Sequence, residues 1–144
     1  EDVWSMTGRT AVTKRIARLV EEAEEVVLYG ATNLDDPDPD LLAAFGAARD
    51  RGVAVALLPE HGQTVAPAWG DLDGLREYRL SPESENEYAE RVLVVDFDVF
   101  LLSIRGAETH EETAVWSAHT TFARVFSQII AGSVPGLDED ERTG

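Results

Sequence analysis

Two apolar runs with a two-residue gap constrain this chain more than any other feature. Arg91-Val92-Leu93-Val94-Val95-Asp96 and Val99-Phe100-Leu101-Leu102-Ser103-Ile104 are rich in β-branched and large apolar side chains, and only Phe97-Asp98 separates them. A link that short admits a tight antiparallel hairpin and no crossover. A second stretch signals the opposite kind of connection. Val26-Val27-Leu28-Tyr29-Gly30 reads as a buried strand. Asp38 can cap a following helix, with Pro39 at its first position, where no N–H is needed. That helix would bury Leu41, Leu42, Phe45 and Ala48 and stop at Gly52. Val53-Ala54-Val55-Ala56-Leu57-Leu58 is then a second buried strand. Strand, helix and strand in about thirty residues form a βαβ unit, which implies parallel pairing through a right-handed crossover. The expected class is α/β: a mixed, mostly parallel sheet with flanking helices.

The remaining elements are read from periodicity and punctuation. Val12, Ile16, Leu19, Val20 and Ala23 lie on one face of a helix over 10–25. Gly62, Pro67, Gly70 and Gly74 make 61–75 a loop with one helical turn, in which Trp69 makes a satellite hydrophobic contact. Arg76 to Leu80 reads as a short strand, and Ser81 to Glu90 as a polar, mobile loop. Ala114 to Ser117 reads as an edge strand. Phe122, Val125, Phe126, Ile129 and Ile130 mark a final helix ending near Gly132. One domain over 3–132 follows, with 133–144 an acidic, disordered tail. No repeat at solenoid periods is present.

Charge excludes several functions. Twenty-eight acids against twelve bases leave −16 on 144 residues, while 44% hydrophobic content suffices for a core. A duplex nucleic acid would be repelled, so DNA binding by this chain alone is not expected. Lys14 is the sole lysine, against eleven arginines, and the acids are dispersed; this composition matches proteins of extreme halophiles. Zero cysteines remove disulfides, thiolate metal sites and cysteine nucleophiles. No apolar run approaches the roughly 18 residues of a membrane helix. Glu1-Asp2 does not open a signal peptide, so a cytoplasmic protein without membrane contact is expected.

Candidate chemistry is sparse. His61, His110 and His119 fall in loops or at element ends, and no Gly-x-Ser-x-Gly elbow accompanies them. No glycine-rich phosphate loop supports a nucleotide, so no cofactor is expected. Asp36, Asp38 and Asp40 alternate as calcium ligands do, but Pro37 and Pro39 intervene and the required Gly and distal Glu are missing. That segment reads as a solvated acidic loop, and no metal is expected. In an open α/β sheet, ligands lie beyond the carboxyl ends of parallel strands. Those ends carry Asn33, Glu60 and His61, which become ligand-binding candidates. Trp116 and His119 join them if the edge strand runs alongside. Trp4 and Trp116, beside apolar residues, are expected to serve as core or interface anchors.

Several short motifs carry a family likeness. Val3-Trp4-Ser5-Met6-Thr7-Gly8-Arg9 before a helix resembles the entry to the C-terminal regulatory domain of TrmB-type archaeal transcription regulators. Arg51-Gly52-Val53-Ala54-Val55, Val92-Leu93-Val94-Val95-Asp96 and Ala114-Val115-Trp116-Ser117 resemble later landmarks in the same order, over residues 3–131. The resemblance implies a phospholipase D-like sandwich, a haloarchaeal source, and a sensor domain joined to a winged helix-turn-helix outside this chain. It also implies sugars or other small polar metabolites as effectors.

Two departures bear on activity. The phospholipase D signature places His, then Lys two residues later, then Asp five after the Lys. Counted back from Asp96, Arg91 stands at the Lys position and Ala89 at the His position, and Ser103-Ile104 replaces the Gly-Ser that follows. Without the covalent nucleophile, no catalytic residue and no enzymatic activity are expected, and Asp96 becomes a hairpin residue. Second, sugar-binding relatives carry additional β structure after this part, so no sugar-binding residue transfers by position. The expected function is a regulatory, oligomerisation and effector-sensing domain, with a phospholipase D-like hydrolase or a stand-alone interaction domain as alternatives. A homodimer is expected, paired through the outer residues of the first helix and through the last helix with Phe122 and Phe126.

Overall fold

A computed structural model describes residues 3–59, 62–70, 89–106 and 108–132. The expected strand over Arg76–Leu80, most of the 81–90 loop, Glu60, His61 and the 133–144 tail lie outside the described residues. In chain order the elements are β1 (Trp4–Thr7), α1 (Arg9–Glu21), β2 (Val26–Ala31), α2 (Pro39–Asp50), β3 (Ala54–Leu57), a 3-10 turn at Pro67–Trp69, β4 (Ala89–Val95), β5 (Val99–Arg105), β6 (Glu112–Ala118) and α3 (Thr121–Gly132).

The six strands form one sheet in the order β1-β6-β5-β4-β2-β3. The βαβ unit is present, and β2 pairs β3 in parallel. Every other pairing is antiparallel, which corrects the expectation of a mostly parallel sheet. A crossover fixes the direction of one neighbour only. The free edge of β2 takes β4 antiparallel, and short loops then return β5 and β6 in alternating directions.

Alternation along the strands divides the core in two. One face carries Val27, Tyr29, Val55, Leu57, Leu93 and Leu101 under Val12, Ile16 and Val20 of α1 and Phe45 of α2. The other carries Leu28, Leu58, Val94 and Phe100 against Ala123 of α3. The first core is much the larger, so α1 and α2 supply most of the apolar burial that holds the sheet.

Local chemistry sets several boundaries. The Asp38 carboxylate accepts from Asp40 N at 2.8 Å, and Gly52 follows α2 at φ +92°, a conformation that disfavours side chains. In the hairpin, Asp98 N donates to Val95 O at 3.0 Å, while Asp96 and Phe97 take φ +55° and +53°. The turn is therefore centred one residue earlier than the expected Phe97-Asp98. β6 is not an edge strand: β1, unforeseen because four residues show no alternation, pairs along it with Trp4 opposite Trp116. The last helix also turns differently from its apolar periodicity. Ala123 and Ser127 are buried, Phe126 and Ile130 are half-buried, and Phe122, Val125 and Ile129 are exposed. Small residues four apart let the helix approach the sheet closely, and the large ones flank that contact.

Candidate functional site

A cavity of about 270 Å³ opens where β2 ends, between the starts of α1, α2 and β4. Tyr29, Ala31 and Asn33 come from β2 and its exit; Asp36, Pro37, Asp38 and Pro39 form the lip before α2. Arg9 and Thr13 reach in from α1, and Glu90 and Arg91 from β4.

Behind this cavity lies a buried charge network. Arg91 is 5% exposed, and its Nε and Nη2 donate to the two oxygens of Glu112, each at 2.8 Å. Nη2 also donates to Arg9 O at 3.3 Å, and Ser103 Oγ donates to Glu112 at 2.6 Å. Burial works against the Glu112 carboxylate, but hydrogen bonds from Arg91 and Ser103 outweigh it and hold its carboxyl below the usual range. Burial likewise works against the Arg91 cation, yet Glu112 and Tyr29 keep it firmly charged. Burial is also the main cause of a raised Tyr29 hydroxyl. One pair thus ties β4 to β6, with β5 and α1 contributing through Ser103 and the Arg9 carbonyl. Beside it, Glu90 accepts from Thr32 Oγ1 at 2.9 Å and from Arg105 Nη2 at 2.9 Å.

The linear reading did not assemble this cluster, because its members lie on three strands. A signal was present: Arg91 and Ser103 are polar interruptions at inward-facing positions of apolar strands, and they stand opposite each other in the register.

The ligand candidates separate. Asn33 lines the cavity, while Glu60 and His61 lie outside the described residues. Trp116 stacks on Trp4 with ring centroids 4.6 Å apart, and the Arg15 guanidinium lies 4.7 Å from its centroid. His119, at φ +62°, lies at the opposite end of the sheet. There its Nδ1 pairs with Asp98, which also accepts from Arg124 Nε at 3.0 Å. The hydrogen bond from His119 is the main cause of a lowered Asp98 carboxyl. Glu22, Glu24, Glu25 and Asp96 line the same open hollow.

Asp96 has a definite task. Its oxygens accept the backbone N–H groups of Glu24, Glu25 and Val26 at 2.9, 2.7 and 2.9 Å. These bonds set the α1–β2 junction and explain why α1 stops at Glu21 instead of continuing to 25. Among the described residues, no group of three His, Asp or Glu side chains is arranged to hold a metal, and no helix is long and apolar enough to cross a membrane.

No model of a known protein family matches the chain, and no curated protein does. Solved structures do share its fold. A phospholipase D family member, Nuc from Salmonella typhimurium, is 14% identical over 90% of both chains, with a TM-score of 0.64. The archaeal chromatin protein TrmBL2, described with a novel mode of DNA binding, is 18% identical over 99% of this chain, with a TM-score of 0.61. The chain spans 53% of that protein. Phosphatidylserine synthase from Haemophilus influenzae is 12% identical over 89% of this chain and 37% of its own, with a TM-score of 0.55. The fold is therefore phospholipase D-like. The expectation that the chain is no enzyme does not stand, since this is a fold that enzymes use. That expectation rested on Ala89 at the His position and Ser103-Ile104 in place of Gly-Ser, both read from linear spacing. Tertiary structure brings Arg91, Glu112, Ser103 and Tyr29 together regardless of spacing.

Proposed function

We propose that the chain is the effector-sensing and pairing domain of a TrmB-type transcription regulator of a halophilic archaeon. It senses a small polar metabolite such as a sugar and reaches DNA only through a separate winged helix. The observation that carries this reading is the cavity at the end of β2. Its inner wall is a closed charge network, while the side chains of Arg9, Asn33 and Asp36 at its mouth are exposed to an incoming ligand. A ligand touching α1, the lip of α2 and β4 together would favour one arrangement of these elements over another. Unequal affinity for two arrangements is what couples a sensor to a tethered DNA-binding module. Likeness to TrmBL2 along nearly the whole chain supports the assignment.

Phosphodiester hydrolysis at the same site is the second reading. It is favoured by the two-way coverage with the Salmonella phospholipase D family member, and by Arg91 on the cavity wall at the Lys position of the signature. Thermal-shift measurements over sugars, polyols and phosphate esters, run beside turnover of a chromogenic phosphodiester, separate the two. A midpoint rise that disappears in Asn33→Ala and Arg9→Ala supports the sensor. Turnover that disappears in Arg91→Lys, with the fold intact, transfers the site to the hydrolase.

A further inference from the structure

We infer that the cavity at the end of β2 takes a zwitterion: a free α-amino acid, with its carboxylate toward α1 and its ammonium toward the lip of α2. The inference rests on the sensor reading and narrows its small polar metabolite to one class.

Subtraction separates the lining groups. Arg91 is spent on Glu112 and the Arg9 carbonyl, and Glu90 on Thr32 and Arg105. Asp38 Oδ1 accepts from Asp40 N and caps α2. The wall leaves over the side chains of Arg9, Thr13, Asn33 and Asp36, which have no polar partner among the described residues. Thr13 carries the most information. It is 7% exposed, yet its hydroxyl is not hydrogen-bonded. A buried polar group in that state costs free energy until something enters the cavity to pair with it.

The spare donors and the spare acid stand on different elements. Arg9 and Thr13 belong to the first turns of α1. There Gly8 brings no capping side chain, no acid lies in the first turn, and the ladder begins with Val12 N on Gly8 O at 2.9 Å. The N–H groups of Arg9, Thr10 and Ala11 precede that ladder and add positive potential at this end of the helix. A carboxylate answers all of these groups. Asp36 stands on the lip before α2, and its carboxylate answers an ammonium. Asn33, at the exit of β2, can donate to the one or accept from the other. A neutral sugar would take water from both charges and return neither. A phosphate ester would bring further negative charge to a rim that already holds an acid. At about 270 Å³ the cavity falls below the roughly 300–1,000 Å³ of sites for drug-sized ligands, which suits a molecule of few heavy atoms.

Thermal melts of the whole chain with each common free α-amino acid at millimolar concentration test it, beside sugars and phosphate esters. At least one amino acid should raise the midpoint. Its N-acetyl form and its carboxamide, each lacking one charge, should not. Arg9→Gln and Asp36→Asn should each weaken binding by roughly tenfold or more, the loss of one charge-assisted bond. Both residues are exposed, so the midpoint without ligand should hold. Thr13→Val should melt at the same temperature or higher without ligand and still weaken binding, which a merely structural hydroxyl would not do. A blocked form that binds as well as the free acid overturns the inference, as does a shift that every variant retains. A sugar or phosphate ester that raises the midpoint where no amino acid does overturns it and leaves the sensor reading in place. If no compound raises the midpoint, both fall.

Discussion

The two ends of this sheet hold charge in opposite ways. Where β2 finishes, Arg91 and Glu112 are 5% and 3% exposed, and their polar atoms are spent on each other, on Ser103 and on a carbonyl. Where β4 finishes, Asp98, His119 and Arg124 form a similar-looking set, but with side chains 31%, 72% and 52% exposed. The difference lies in the solvent, not in the geometry. In the first case water cannot replace a lost partner; in the second it can. Asp96 stands between them, an exposed-end carboxylate whose partners are backbone N–H groups that define where α1 ends.

Removing half of the buried pair should therefore have the largest effect. Arg91→Ala or Glu112→Ala strands a charge in the interior and should cost about 3–5 kcal/mol in urea unfolding. Arg91→Met combined with Glu112→Leu should recover most of that loss, because neither charge then remains. If the single variants cost no more than a surface pair, the two ends do not differ as described. Asp96→Ala comes next, at about 1–3 kcal/mol, since water reaches part of the junction it leaves behind. Asp96→Asn, which keeps an acceptor, should cost less. Hydrogen exchange at Glu24–Val26 should report the opening directly.

Acid sharpens the contrast. The folded carboxyl of Glu112 lies below its unfolded range, so its stabilisation is complete above the unfolded value of about 4.3 and is lost as pH falls through the folded value. Below about pH 4 the wild type should lose stability more steeply than Glu112→Gln. Asp98 is lowered in the same direction, but solvent screens it, so Asp98→Asn should alter the acid limb only slightly. The smallest effect is that of the Asp98–Arg124 pair, about 0.2–1 kcal/mol by double-mutant cycle in dilute buffer. Multimolar KCl should abolish that coupling while raising the melting midpoint of the whole −16 chain. A midpoint that stays flat or falls with salt would remove the halophilic reading.

Legibility followed how local each determinant was. The cap at Asp38, the glycine after α2, the β2–α2–β3 unit and the β4–β5 hairpin were readable because their causes lie within a few residues. Of the ligand candidates read at strand ends, Asn33 lies on the cavity wall, and Arg91, singled out by motif spacing, lies there too. Arg91 and Glu112 lie far apart in the chain, and their meeting depends on the register of β5 against both neighbours.

The sequence by itself determined most of the strands and helices among the described residues, that the protein is strongly acidic, and that two strands joined by a short link turn back on each other. Periodicity, capping and turn chemistry act over a few residues, and so does their record in the chain. Tertiary structure alone decided that β4 lies antiparallel beside β2, and that β1 covers β6. It also decided that α3 rests on Ala123 and Ser127 with its larger side chains outward, and that an arginine and a glutamate close a charge network behind a cavity. Those outcomes depend on which surfaces exclude water together. That is a property of the assembled layers, and no single segment carries it.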